Sequence, residues 1–166
     1  MTFKNENDRY EYFMREAYKE ALKAYIEGEV PIGSVVVKDN LVIGRGYNQR
    51  EFSDDPTDHA EIKAIKKATS TIGDWRLTGC ELYVTIEPCM MCCGAIYQSR
   101  IEKLIYGSMD HKMGMVDSGG KLLQIDNLNH KVEVISGILH EKCKQLMKNF
   151  FLEIRRKKKY KKASNV

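Results

Sequence analysis

A strand that runs directly into a proline-led helix, with a second strand beyond that helix, limits this chain's fold more than any other feature. Leu82, Val84 and Ile86 alternate with Tyr83 and Thr85, the period-2 pattern of an extended segment. Pro88 follows at once, and a first-turn proline gives up only an N–H that has no helical partner. The helix it opens leads to Ile101–Tyr106, another apolar strand. Two strands joined through a helix lie parallel with a right-handed crossover.

The remaining elements fit around this unit. Tyr10, Phe13, Met14, Ala17, Ala21, Ala24 and Tyr25 recur every three or four residues, an amphipathic helix ended by Gly28. Ile32 to Val37 and Leu41 to Tyr47 read as a hairpin turning at Asp39-Asn40. Asn48 to Asp58 reads as a polar connector, and the helix after it carries an inner stripe of Ala60, Ala64, Ile65 and Ala68. Val132 to Ser136 gives a fifth strand, and Leu139 to about Lys158 a final helix buried along Cys143, Leu146, Met147, Phe150 and Ile154. The expected fold class is α/β, a three-layer α/β/α arrangement around a mixed five-stranded sheet. The loop from Gly107 to Gly120 leaves a strand end, and a loop of that length in a compact domain is more often functional than idle.

Two short motifs carry chemistry. Cys89 and Cys92 are three apart, so both sulfurs share one face of a helix and can meet one ion. The helix N-terminus favours the thiolates that zinc requires. His59 and Glu61 are two apart, which mid-helix would separate them by about 200°. His59 must therefore sit at the helix entrance, and Thr57 and Asp58 are the expected N-caps. Three protein ligands, His59, Cys89 and Cys92, leave one coordination position for water, which is the pattern of a catalytic zinc site. Glu61 is then free to carry protons, because zinc lowers the pKa of its water to roughly 7 and a nearby carboxylate can accept from it. A structural zinc site or a redox pair would account for Cys89 and Cys92 alone, but neither explains His59-Ala60-Glu61. Cys93 is about 100° round the helix from Cys92 and should face elsewhere. Cys80 and Cys143 read as small buried hydrophobes.

Composition bounds the setting. A chain of 166 residues is one domain's worth. The N-terminal residues lack a signal-like apolar run, no stretch reaches the length of a membrane helix, and five cysteines suit a reducing compartment, so a cytoplasmic location is expected. Arg155, Arg156, Lys157, Lys158, Lys159, Lys161 and Lys162 outnumber the net charge of +4, so the rest of the chain is acidic on balance. We divide it into a domain over residues 1–154 and a basic C-terminal tail over 155–166, a charge block that suits nucleic acid.

H-x-E with P-C-x-x-C is the signature of the zinc nucleobase deaminases. The chain resembles the bacterial tRNA-specific adenosine deaminases in particular, through Val30-Pro31-Ile32-Gly33, Asp55-Pro56-Thr57, Trp75-Arg76-Leu77, Leu82-Tyr83-Val84-Thr85, Ser99-Arg100-Ile101, Asn129-His130, Gly137-Ile138-Leu139 and Phe150-Phe151. The resemblance implies a cytidine deaminase-like fold and a homodimer binding one zinc per chain. It also implies hydrolytic conversion of the wobble adenosine, position 34 of a tRNA anticodon, to inosine, water adding at C6 with Glu61 as proton shuttle. Asn48 matches a residue that touches the flipped nucleotide, and Asp110 a loop aspartate near the substrate backbone. Phe151 lies off the buried stripe of the last helix and is the better candidate to meet an anticodon stem-loop, whereas Phe150 belongs to the core. One departure stands out: Lys112-Met113-Gly114 is followed by Met115-Val116-Asp117-Ser118-Gly119, bulkier and more acidic than the small residues usual there. The nearest competing reading is a zinc deaminase of free bases or nucleosides, which would share every catalytic residue.

Overall fold

The computed structural model describes residues 2–164, and side chains as far as Tyr160. Its elements are α1 (Glu6–Glu27), β1 (Gly33–Lys38), β2 (Leu41–Tyr47), α2 (Arg50–Ser53), α3 (Ala60–Ile72), β3 (Glu81–Ile86), α4 (Met90–Gln98), β4 (Lys103–Ser108), β5 (Glu133–Ser136) and α5 (His140–Ser164). The five strands form one sheet in the order β2-β1-β3-β4-β5. β1 is antiparallel to β2 and β3, while β3, β4 and β5 run parallel, so the sheet is mixed as expected.

Side-chain alternation divides the core into two. Val36, Leu82, Val84, Leu104 and Tyr106 face one side, where Ala64, Ile65 and Ala68 of α3 and Ile96 of α4 cover them. Val35, Val37, Tyr83 and Ile105 face the other, against Tyr10, Phe13, Met14 and Ala17 of α1 and Cys143 of α5. Helices therefore lie on both faces, giving the three layers. The β1–β2 turn places Asp39 and Asn40 at φ 50° and 59°, the left-handed pair that a two-residue hairpin requires.

α3 packs unusually close to β2. A Cβ at Gly44 would lie 2.2 Å from the Ala64 carbonyl oxygen, and one at Gly46 would lie 2.3 Å from that of Ala60. Two glycines on one strand thus let the helix backbone rest on the sheet and set the height of its first turn.

Three local expectations change. The connector after β2 contains the one-turn α2. The N-cap of α3 is His59 itself, not Thr57 or Asp58. Thr57 donates both its amide and its hydroxyl to Asp55 Oδ1 at 2.7 Å, while Asp58 pairs with Lys63 at 3.2 Å, so both polar side chains are spent before the helix begins. α5 runs on to Ser164, past the expected end near Lys158, because no glycine or proline interrupts residues 140–164 and lysine and arginine are good helix formers. The expected tail residues 165 and 166, and the side chains of Lys161 and Lys162, lie outside the described residues.

Candidate active site

The site forms where the first turn of α3 meets the carboxyl end of β3. His59 and Cys89 are the N-cap residues of α3 and α4, each in extended conformation, and neither makes a side-chain capping bond. Their side chains are free to turn toward each other. His59 Nδ1 lies 3.7 Å from Cys89 Sγ and 3.6 Å from Cys92 Sγ. The three ligand atoms all fall within 4.8 Å of one another. With zinc–sulfur and zinc–nitrogen bonds of about 2.3 and 2.0 Å, the nitrogen–sulfur edge of a tetrahedron is about 3.5 Å, so the spacing fits a metal ion.

The protonation pattern fits as well. The Cys89 sulfur is drawn down to about 4, chiefly by the hydrogen bond from the Cys92 thiol and then by His59. Cys92 is pushed up by the same bond and by burial. The two sulfurs are thus placed to share one proton, which a bound cation would displace. Cys93 faces away as expected, its buried thiol donating to the Pro88 carbonyl at 3.7 Å.

Glu61 follows the histidine into α3 and is only 4% exposed. Burial pushes its carboxyl up to about 7, with the negative Cys89 adding to the rise and His59 opposing it. A carboxyl poised near neutrality can both take and return a proton. It is not among the three clustered metal-binding residues.

These groups form the floor of a cavity of about 680 Å³. His59, Glu61, Cys89, Asn48, Asp110 and Phe151 all line it, while Cys92 is buried behind. The aromatic pair divides as the helical stripe indicated: Phe150 is 6% exposed and packs on Tyr25, whereas Phe151 is 42% exposed. Asp110 is less free than expected. Its Oδ1 accepts the Lys112 and Met113 amides at 3.0 and 3.2 Å, so it braces its own turn.

Several wall residues were not evident from the sequence. Lys144 and Lys148 stand beside Phe151 together with Arg155, the first residue of the expected basic tail, and successive steps of four, three and four along residues 144, 148, 151 and 155 place one face of α5 along the cavity. Glu29, 3% exposed, accepts from Asn48 Nδ2, and Glu87, also 3% exposed, accepts from the loop after β4. The divergent loop residues turn inward. Val116 joins the core beneath α4, and Asp117 accepts from the Tyr106 hydroxyl at 2.5 Å and from Gln124 at 3.1 Å.

Residues 6–155 match the model of the MafB19-like deaminase family. The chain is 47% identical over 149 residues to the tRNA-specific adenosine deaminase of Bacillus subtilis, covering 90% of this chain and 92% of that one. It is 44% identical over 154 residues to its namesake in Haemophilus influenzae, covering 92% and 89%. Among solved structures, one from a study of A-to-I editing by tRNA:A34 deaminases superposes with a TM-score of 0.78 at 41% identity, covering 81% of this chain and 98% of that one. A guanine deaminase of Nitrosomonas europaea, 20% identical, shares the fold with a TM-score of 0.69 over 90% of this chain and 86% of that one. The family match over residues 6–155, the identities over most of both chains and the shared fold agree, and the chain belongs to the tRNA-specific adenosine deaminases within the MafB19-like deaminase family.

Proposed function

We propose that this protein hydrolyses the wobble adenosine of a tRNA anticodon to inosine, using one zinc ion per chain. The observation that carries this reading is Glu61, a buried carboxyl beside a three-residue metal cluster at the floor of a basic, aromatic-edged cavity. His59, Cys89 and Cys92 would hold the zinc, whose contribution when bound is to make a water nucleophilic at neutral pH. Glu61 takes one proton from the attacking water as its oxygen bonds to C6 and passes it to N1, then carries the remaining hydroxyl proton to the departing N6 as the C6–N6 bond breaks and C6 becomes a carbonyl. Water and adenosine are consumed, and inosine and ammonia are released. Burial keeps Glu61 screened from bulk water during this exchange.

Substrate size follows from the walls. Lys144, Lys148 and Arg155 place positive charge along one flank, where phosphates of a polynucleotide can lie, and Phe151 offers an exposed ring for stacking. Asn48 meets the base from the floor, and the Asp110 turn lies along the strand. A loop nucleotide suits such a pocket, because an unstacked base enters for a few kcal/mol less than a paired one. Residues 1–154 act as the deaminase domain and 155–166 extend its basic flank onto the stem. The working unit is a homodimer in the cytoplasm, where tRNA is processed; none of the described helices is long and apolar enough to cross a membrane.

The decisive experiment offers the protein, with zinc, an anticodon stem-loop carrying adenosine at the wobble position. Inosine at that position alone is expected, and the same strand held in a duplex should stay unchanged. Faster turnover of free guanine or cytidine than of the hairpin would overturn the substrate assignment.

A further inference from the structure

Glu87 occupies the single position between β3 and Pro88, 3% exposed, two residues before a metal-cluster cysteine. A second acid there invites a role in proton transfer or metal binding, yet its oxygens are already occupied. Oε1 accepts the amides of Val116 at 3.1 Å, Asp117 at 2.8 Å and Ser118 at 2.8 Å. Oε2 accepts the Asp110 amide at 3.0 Å and the Ser118 hydroxyl at 2.5 Å. A carboxylate offers about four lone-pair sites, so these five donors saturate it. All five come from one loop.

The surroundings are cut to the same arrangement. The Met115 amide donates to the Pro88 carbonyl at 2.9 Å, and the Glu87 amide donates to Ser108 O at 2.8 Å, so the turn is stitched to both ends of the loop. A Cβ at Gly114 would lie 2.3 Å from Glu87 Oε2, which leaves room for glycine only. The segment thus held includes Met109, Asp110 and Met113, which form a wall of the cavity. No other side chain among the described residues bonds both the start and the end of residues 110–118.

We propose that Glu87 is a positioning residue that transfers the placement of the metal-bearing turn to the substrate loop. Glu87 borders the cavity, but both its oxygens are spent on the loop, so it acts through the loop and not on the reacting atoms. It holds the loop in the one shape that receives the nucleotide, so its loss should weaken substrate capture and leave the chemical step in place. The two oxygens divide the work. Gln at this position retains one acceptor but turns an N–H₂ toward donors on the other side, so it should free half of the loop.

The proposal draws on the wobble-adenosine reading only for the substrate of one assay. Full-length zinc-loaded Glu87→Gln, Glu87→Ala and Gly114→Ala are compared with the parent in three measurements: metal per chain, hydrogen exchange, and kcat and KM for the anticodon hairpin. Amides of residues 110 and 116–118 should exchange at least about tenfold faster in Glu87→Ala and Gly114→Ala, while β3 and β4 stay protected. Zinc should remain stoichiometric, and KM should rise by roughly tenfold with kcat within about threefold, since only a fraction of molecules present the competent loop. Glu87→Gln, which keeps size and fold, should lie between. Unchanged loop exchange in Glu87→Gln and Glu87→Ala overturns the proposal, as does a fall in kcat at constant KM with zinc in place. If the parent leaves the hairpin untouched, the substrate reading fails and loop exchange alone decides the role of Glu87.

Discussion

Asn48 donates its Nδ2 hydrogen to Glu29 Oε2 across 3.1 Å, and this bond determines which end of the amide faces the cavity. A carboxylate only accepts, so the nitrogen must point at Glu29 and Oδ1 is left as the acceptor that the proposed nucleotide would meet. Glu29 is itself fixed by the Phe52 amide at 2.7 Å. Asn48→Asp sets two acceptors against each other, whereas Asn48→Ala merely removes one partner. The aspartate variant should be the less stable of the two, by about 1–3 kcal/mol relative to the parent, in urea melts. Hairpin deamination should fall at least about tenfold in both. An aspartate variant as stable and as active as the parent would show that Glu29 does not orient the amide.

Metal and activity should disappear together when a sulfur is removed. Cys89→Ala or Cys92→Ala leaves two of the three clustered ligands, and elemental analysis should then find well under one zinc per chain. Chelation of the parent should lower its melting temperature, because a ligand bound only by the folded state stabilises it. Full metal loading in both variants counts against the assignment.

Glu61→Gln keeps the shape of the buried side chain and removes its ability to take a proton. Zinc content and hairpin affinity should be retained while turnover drops by about 10²–10⁴-fold. Turnover within a few-fold of the parent, at normal metal content, would place the proton chemistry on another residue.

Gly46→Ala tests how the sheet sets the height of α3. The added methyl would meet the Ala60 carbonyl at 2.3 Å, directly after His59, so the helix start must shift. Destabilisation of about 1–3 kcal/mol is expected from the overpacking, with weaker zinc retention during dialysis than in the parent. Gly73→Ala is the control: no atom lies within 4 Å of its Cβ, so its penalty comes from a φ of 78° and should leave zinc retention alone.

Truncation after Ile154 removes Arg155 from the cavity flank along with the basic end of α5. Binding of the anticodon hairpin should weaken, and the log–log salt slope should fall by roughly 0.7 for each phosphate that is no longer neutralised. An unchanged slope would mean the helix end does not meet RNA.

Much of this was legible in the sequence because the controlling interactions are short in range. The β3–Pro88–α4 unit, the α1 stripe and the Asp39-Asn40 turn are local patterns, assigned by period together with the proline and the turn residues. The convergence of His59 with Cys89 and Cys92 could be inferred because a two-residue offset from Glu61 allows only a helix entrance. Glu29 and Glu87 were not legible as buried groups. An acid reads as surface charge unless its donors are known, and theirs come from residues 19 to 31 positions away. The cap at His59 was misplaced because Thr57 turns back to Asp55, a competing local bond that residue preferences do not rank. The added charge of Asp117 accepts from the Tyr106 hydroxyl, 11 residues away, a pairing that no local pattern displays.

His59 and Cys89 hold N-cap positions without capping anything. Serine or aspartate in either place would typically add about 1 kcal/mol to the helix it begins, so both helices start at a handicap that a cation bound by these two side chains would offset. With the proposed zinc as that cation, the folded fraction would follow metal supply. Under zinc limitation the chain would be thinned by the quality-control proteases that remove marginally stable proteins, and inosine would become scarce through loss of enzyme as well as loss of catalysis.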